Sequence, residues 1–81
     1  MTDVESRILS FVTTSFARGG AAIDGNTSLL DSGLIDSTGI FELVSFLESD
    51  FGIQVADEDI VPENFETVRR IATFVDGKGR R

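Results

Sequence analysis

The chain contains neither cysteine nor histidine among its 81 residues. Without them it cannot build a Ser-His-Asp triad, a cysteine nucleophile or a Cys/His zinc site. A Gly-x-Ser-x-Gly elbow is missing too, so a hydrolase is excluded. Any serine that undergoes chemistry here must be activated by another protein. No disulfide framework can form, which fits a cytoplasmic location. Basic residues are also scarce. No Lys or Arg falls between Arg18 and Arg69, a span that holds Asp24, Asp31, Asp36, Glu42, Glu48, Asp50, Asp57, Glu58, Asp59, Glu63 and Glu66. With a net charge of −7, such a surface repels nucleic acid and anionic membranes and steers toward basic protein patches. No apolar run approaches the roughly 20 residues of a membrane span. Met1-Thr2-Asp3-Val4-Glu5 is acidic and lacks a basic n-region, so no signal peptide is expected. There are no internal repeats and no sign of a second domain.

What is present suits one small globular domain. The hydrophobic fraction is 41%, and a chain of this length buries only about 60% of its unfolded surface. Thr2 and Glu5 form a capping-box pair. Val4, Ile8, Phe11, Val12 and Phe16 then recur at helical spacing, which predicts a helix over Asp3 to Ala17, favoured at its end by Arg18 and stopped by Gly19-Gly20. A long loop follows to Asp36. Its Ile23, Leu29, Leu30, Leu34 and Ile35 are apolar enough to pin it over the core, with a helical turn expected near Ser28 to Asp31. Ile40, Leu43, Val44 and Leu47 mark a second helix over Ser37 to Asp50, with Gly52 suited to its C-terminal cap. Thr38, Phe41, Ser45 and Glu48 form a neighbouring row, and Gly39 has no evident reason in the sequence beyond close approach by another group. Asp57 to Val61 reads as a short acidic helix ended by Pro62. Its spacing does not fit a calcium-binding loop. Phe65, Val68, Ile71, Ala72 and Val75 mark the last helix, over Glu66 to Val75, with Asn64 as a candidate cap. Residues 1–76 form the expected domain and 77–81 a flexible C-terminal tail.

Ser37 stands out. Asp36 sits at an N-cap position, so Ser37 occupies the first turn, beside unpaired backbone N–H groups and the positive end of the helix dipole. A phosphate ester would be favourably located there. The plainer reading is that Ser37 only starts a helix, in a structural adaptor that carries no modification.

The string from Ser28 to Ser37, followed by Phe41-Glu42-Leu43-Val44, resembles the acyl carrier protein family over nearly the whole chain. The resemblance implies an all-α, four-helix acyl-carrier-protein-like bundle of three longer helices and one short one, with a long first loop. It implies that Ser37, preceded by Asp36, carries 4′-phosphopantetheine, transferred from coenzyme A by a phosphopantetheinyl transferase. The arm's thiol would hold an acyl or aminoacyl group as a thioester, loaded by an activating ligase and passed to a downstream transferase or synthase. The chain would then be a monomeric shuttle that catalyses nothing itself and binds no nucleic acid or membrane. Thr38 stands where the commonest family pattern has Leu, a variant closer to D-alanyl and aminoacyl carriers. Thr38, Phe41, Glu42, Ser45, Glu48, Asp57 and Glu58 are the residues such a carrier would turn to its partners.

Overall fold

In a computed structural model, which describes residues 3–16 and 23–79, four α-helices follow one another. They are α1 (Asp3–Ser15), α2 (Ser37–Phe51), α3 (Pro62–Phe65) and α4 (Val68–Gly79), with a 3₁₀ turn at Asp57–Asp59 before α3. The fold is all-helical with one short helix among three longer ones, as the sequence predicts. Thr2, Ala17, Arg18, Gly19, Gly20, Arg80 and Arg81 lie outside the described residues.

The apolar stripes meet in one core. Ile8 and Val12 of α1, Leu43 and Leu47 of α2, and Val68 and Ile71 of α4 are fully buried. Val44 lies at the stripe's edge and is half-buried. Phe65 caps this core and packs against Phe74, ring centroids 5.6 Å apart. Between α1 and α2 lies an aromatic seam. Phe11 stacks on Phe46 at 4.2 Å, and Phe46 meets Phe51 edge-on at 5.9 Å. The guanidinium of Arg7 lies 4.9 Å from the Phe51 ring and pairs with Asp50. These contacts run from Phe16 near Gly39 to Arg7 near Asp50, so the two helices are antiparallel.

The loop before α2 is held as the apolar positions require. Leu29 and Ile35 are buried, while Ile23, Leu30 and Leu34 pack half-buried on the core. Its backbone is tied at both sides. Leu29 N–H donates to Glu66 O at 2.7 Å, and Arg69 N–H donates to Gly25 O at 2.9 Å. The Ser28 hydroxyl donates to the Glu66 carboxylate at 2.6 Å and accepts from Asp31 N–H at 3.1 Å.

Three boundaries differ from the sequence reading. Pro62 opens a helix instead of ending one: it stands at the start of α3, where its missing N–H has no intrahelical use and its fixed φ is already helical. The acids before it form only the 3₁₀ turn. The cap of the last helix is Thr67, whose Oγ1 accepts from Arg70 N–H at 3.1 Å. Asn64 instead donates its side-chain amide to Asp59 O at 2.9 Å, joining α3 to the turn. Finally, α4 continues past Val75 through Gly79, so residues 77–79 are helix and not tail. Lys78 explains this, because its ammonium reaches the Asp59 carboxylate at 2.9 Å and lies 5.8 Å from the Phe74 ring centroid.

Candidate functional site

The start of α2 is built by Asp36 and Gly39. Asp36 is extended, with φ −96° and ψ −174°, and its Oδ1 accepts Gly39 N–H at 2.7 Å. The first intrahelical bond follows, Ile40 N–H to Asp36 O at 2.9 Å. The cap therefore satisfies the third amide of the helix, while the backbone N–H groups of Ser37 and Thr38 head the helix without intrahelical acceptors. No acidic residue lies in the first turn of α2. The dipole end is thus left available to an anion, with the Asp36 Oδ1 engaged by the backbone.

Gly39 has an internal reason. A Cβ there would lie 2.9 Å from Phe16 Cε1, and 3.3 Å from both Asp36 Oδ1 and Ile35 Cγ2. The glycine lets the end of α1 press on the start of α2. Phe16 in turn meets Phe11 edge-on at 5.9 Å, so the aromatic seam braces the helix that bears Ser37.

The residues expected to face partners fall into two groups. Thr38, Phe41, Glu42 and Ser45 are exposed along α2 between its start and just past its midpoint. Phe41 is 63% exposed, the one large hydrophobic residue so exposed among those described. It does not belong to the core edge. Asp57 and Glu58 are exposed on the 3₁₀ turn, beyond the far end of α2. Glu48 stands about 16 Å along the helix from Ser37 at 1.5 Å per residue. Its carboxylate accepts Val55 N–H at 3.0 Å, so it also fixes the link leading to the turn. Gly52, at φ 68°, ends α2 by donating its N–H to Glu48 O at 3.0 Å. That left-handed conformation suits a residue without Cβ.

Two carboxylates titrate low. Asp24 is held below its ordinary value first by the backbone N–H of Asn26 and then by the Thr27 hydroxyl. Asp59 is held down first by its bond to Lys78 and then by Ala56 N–H. Neither adjoins Ser37 in sequence. They fasten the long loop and the turn, and so shape the ground on which α2 stands.

A buried acid escaped the sequence reading. Glu5 resembles an ordinary first-turn residue, yet it is only 7% exposed. Arg69 Nε lies 3.7 Å from its Oε2, and a Cβ on Gly25 would come within 2.6 Å of the same oxygen. The loop thus passes with its backbone against Glu5. Only the juxtaposition of α1, the loop and α4 could have revealed this.

Comparison with known proteins agrees with this geometry. A family model described as a phosphopantetheine attachment site matches residues 7–75. The chain is 32% identical over 73 residues to the probable acyl carrier protein PigG of Serratia sp. (strain ATCC 39006), covering 89% of this chain and 84% of that one. It is also similar to a chain in the crystal structure of an FAD-dependent dehydrogenase. There the TM-score is 0.78 at 29% identity, covering 84% of this chain and 97% of that one. A chain in the complex of Bradyrhizobium japonicum glycine:[carrier protein] ligase with glycylated carrier protein is similar as well. Its TM-score is 0.69 at 26% identity, covering 88% of this chain and 97% of that one. No described helix is long and apolar enough to cross a membrane.

Proposed function

The chain belongs to the phosphopantetheine-attachment family of acyl carrier proteins, non-catalytic carriers with a covalent 4′-phosphopantetheine group, and from that premise we propose that Ser37 bears the group and that its cargo is an amino acid. The observation that carries the attachment is the first turn of α2. Ser37 follows the Asp36 cap, no acid follows it in that turn, and Asp36 Oδ1 is occupied by Gly39 N–H. These residues fit a phosphodiester, which the leading amides and the helix dipole stabilise.

When bound, the group supplies a thiol that holds cargo as a thioester. In the attachment step the Ser37 oxygen forms a new bond to the phosphorus of coenzyme A that bears the pantetheine. The pyrophosphate bond breaks and adenosine 3′,5′-bisphosphate leaves. The hydroxyl proton passes to a base on the transferase, because this chain has no histidine. Asp36 and Gly39 hold the helix start in place while this happens. Phe41 offers the partner an apolar anchor, and Glu42, Asp57 and Glu58 offer charge at the rim. Glu48 contributes through the link it fixes as much as through its charge.

An aminoacyl cargo is favoured by Thr38 after Ser37, and by the similarity to a chain in the complex of a glycine:[carrier protein] ligase with glycylated carrier protein. The partners are then a transferase, an amino acid-activating ligase and a downstream enzyme that takes the thioester. The protein acts in the cytoplasm as a monomer. The test is to convert the chain to its phosphopantetheinylated form and offer it, with ATP, to amino acid:carrier ligases and to acyl-activating ligases. The expected result is a mass gain of one aminoacyl residue, reversed by hydroxylamine. Loading by acyl-activating ligases alone would overturn the cargo assignment.

A further inference from the structure

The last turn of α4 adds nothing to the core. Beyond Val75 no described side chain is buried: Asp76 and Gly77 are exposed and Lys78 is half-buried. Gly77 and Gly79 also make this turn unfavourable as helix. What the turn delivers is Lys78, the only lysine in the chain. Its ammonium lies 2.9 Å from Asp59 Oδ2 and 5.8 Å from the Phe74 ring centroid. A helix C-terminus favours any nearby cation, but that effect does not require the cation to reach another element.

Asp59 is the hub of the 3₁₀ turn. Its N–H donates to Ala56 O at 2.9 Å, its Oδ2 accepts Ala56 N–H at 3.0 Å, and its carbonyl accepts the Asn64 amide at 2.9 Å. No residue of the turn is buried, so the turn's own side chains add little apolar burial and these polar contacts set its shape. Ala56 and Asn64 are close in sequence. Lys78 ties the same carboxylate to a long helix.

We propose that Lys78 is a positioning residue for partner recognition: through Asp59 it fixes the 3₁₀ turn in the arrangement that presents Asp57 and Glu58 to a basic partner surface. The inference rests on the reading that those two acids face partners. Charge and position make opposite predictions here. The ion pair neutralises one of three consecutive acids and leaves Asp57 and Glu58, both exposed. Lys78→Gln takes the net charge from −7 to −8, one cation fewer. If charge alone mattered, a basic partner would be attracted more strongly. If Lys78 holds the acids in place, its loss leaves the partner to order the turn, and association weakens.

The experiment measures KM and kcat for phosphopantetheinylation by a transferase at fixed ionic strength, with thermal melts beside them. Lys78→Gln should raise KM about two- to fivefold, the range open to a partly exposed ion pair. Its kcat should not change, because the contact serves binding and not chemistry. Lys78→Arg, which can still pair with Asp59, should keep the parent KM. In a chain carrying Asp57→Asn and Glu58→Gln, adding Lys78→Gln should lower the melting temperature but leave KM where it was. A general loosening of the fold would raise KM in both backgrounds, and that result would overturn the inference. So would a lower or unchanged KM in the single Lys78→Gln variant. Either result leaves the attachment reading standing. A parent chain that gains no mass would overturn the attachment reading and this inference with it.

Discussion

Replacing Phe41 by Ala separates recognition from folding. The ring is 63% exposed, so only about a third of its surface leaves water on folding. Full burial of such a side chain stabilises by about 1.5–3 kcal/mol, so the truncation should cost roughly 0.5–1 kcal/mol. In a domain of this size that lowers the melting temperature by about 2–8 °C at ~4–8 °C per kcal/mol. In a complex, an aromatic anchor that enters a pocket is worth about 2 kcal/mol or more. That is a fall of roughly 30-fold in kcat/KM for modification or loading, since 1.36 kcal/mol is tenfold in rate. Added salt should not restore it, because the lost contact is apolar. Transferase and ligase kinetics beside thermal melts measure both quantities. Unchanged kinetics together with a large fall in melting temperature would refute the reasoning, because Phe41 would then be acting as core.

The packing of Gly39 predicts that Gly39→Ala destabilises despite its better helix propensity. Overpacking against Phe16 costs about 1–3 kcal/mol, while the propensity gain returns at most about 1 kcal/mol. A raised melting temperature would show that Phe16 yields freely. Leu47→Ala, at a fully buried position, should cost about 2–5 kcal/mol by urea unfolding, and an unchanged midpoint would mean α2 is turned differently. Asp59 is held below its ordinary value by Lys78 and Ala56. Its stabilising effect is therefore present above the usual carboxylate value of about 3.9 and is lost as pH falls through the lower folded value. Asp59→Asn should accordingly reduce stability at neutral pH and show a shallower acid decline than the parent chain; identical pH profiles would contradict this.

The main elements were legible because their apolar periodicity agreed with their caps. Ile40, Leu43 and Leu47 set one face of α2, and Asp36 and Gly52 bounded it. The last helix runs further than its residues suggest, because Gly77 and Gly79 discourage helix while the Lys78–Asp59 pair that holds it joins distant parts of the chain. A proline suits the end of one helix as well as the first position of the next, and at Pro62, which opens α3, the sequence alone does not distinguish the two. Gly39 and Glu5 were opaque for a shared reason. Each is explained by a neighbour from another element, Phe16 in one case and Gly25 with Arg69 in the other. At the site, the Asp36 cap followed from residue type and spacing. The exposure of Phe41 did not, since residues next to a core stripe can turn either way.

The central claim is that Ser37 is the point of attachment. Incubation with coenzyme A and a broad-specificity phosphopantetheinyl transferase, followed by intact mass and mapping of the peptide that contains residue 37, tests it directly. The account predicts a gain of one phosphopantetheine unit, located on Ser37, and no gain in Ser37→Ala with an unchanged melting temperature. A full gain in Ser37→Ala, or a modified peptide elsewhere in the parent chain, would contradict it.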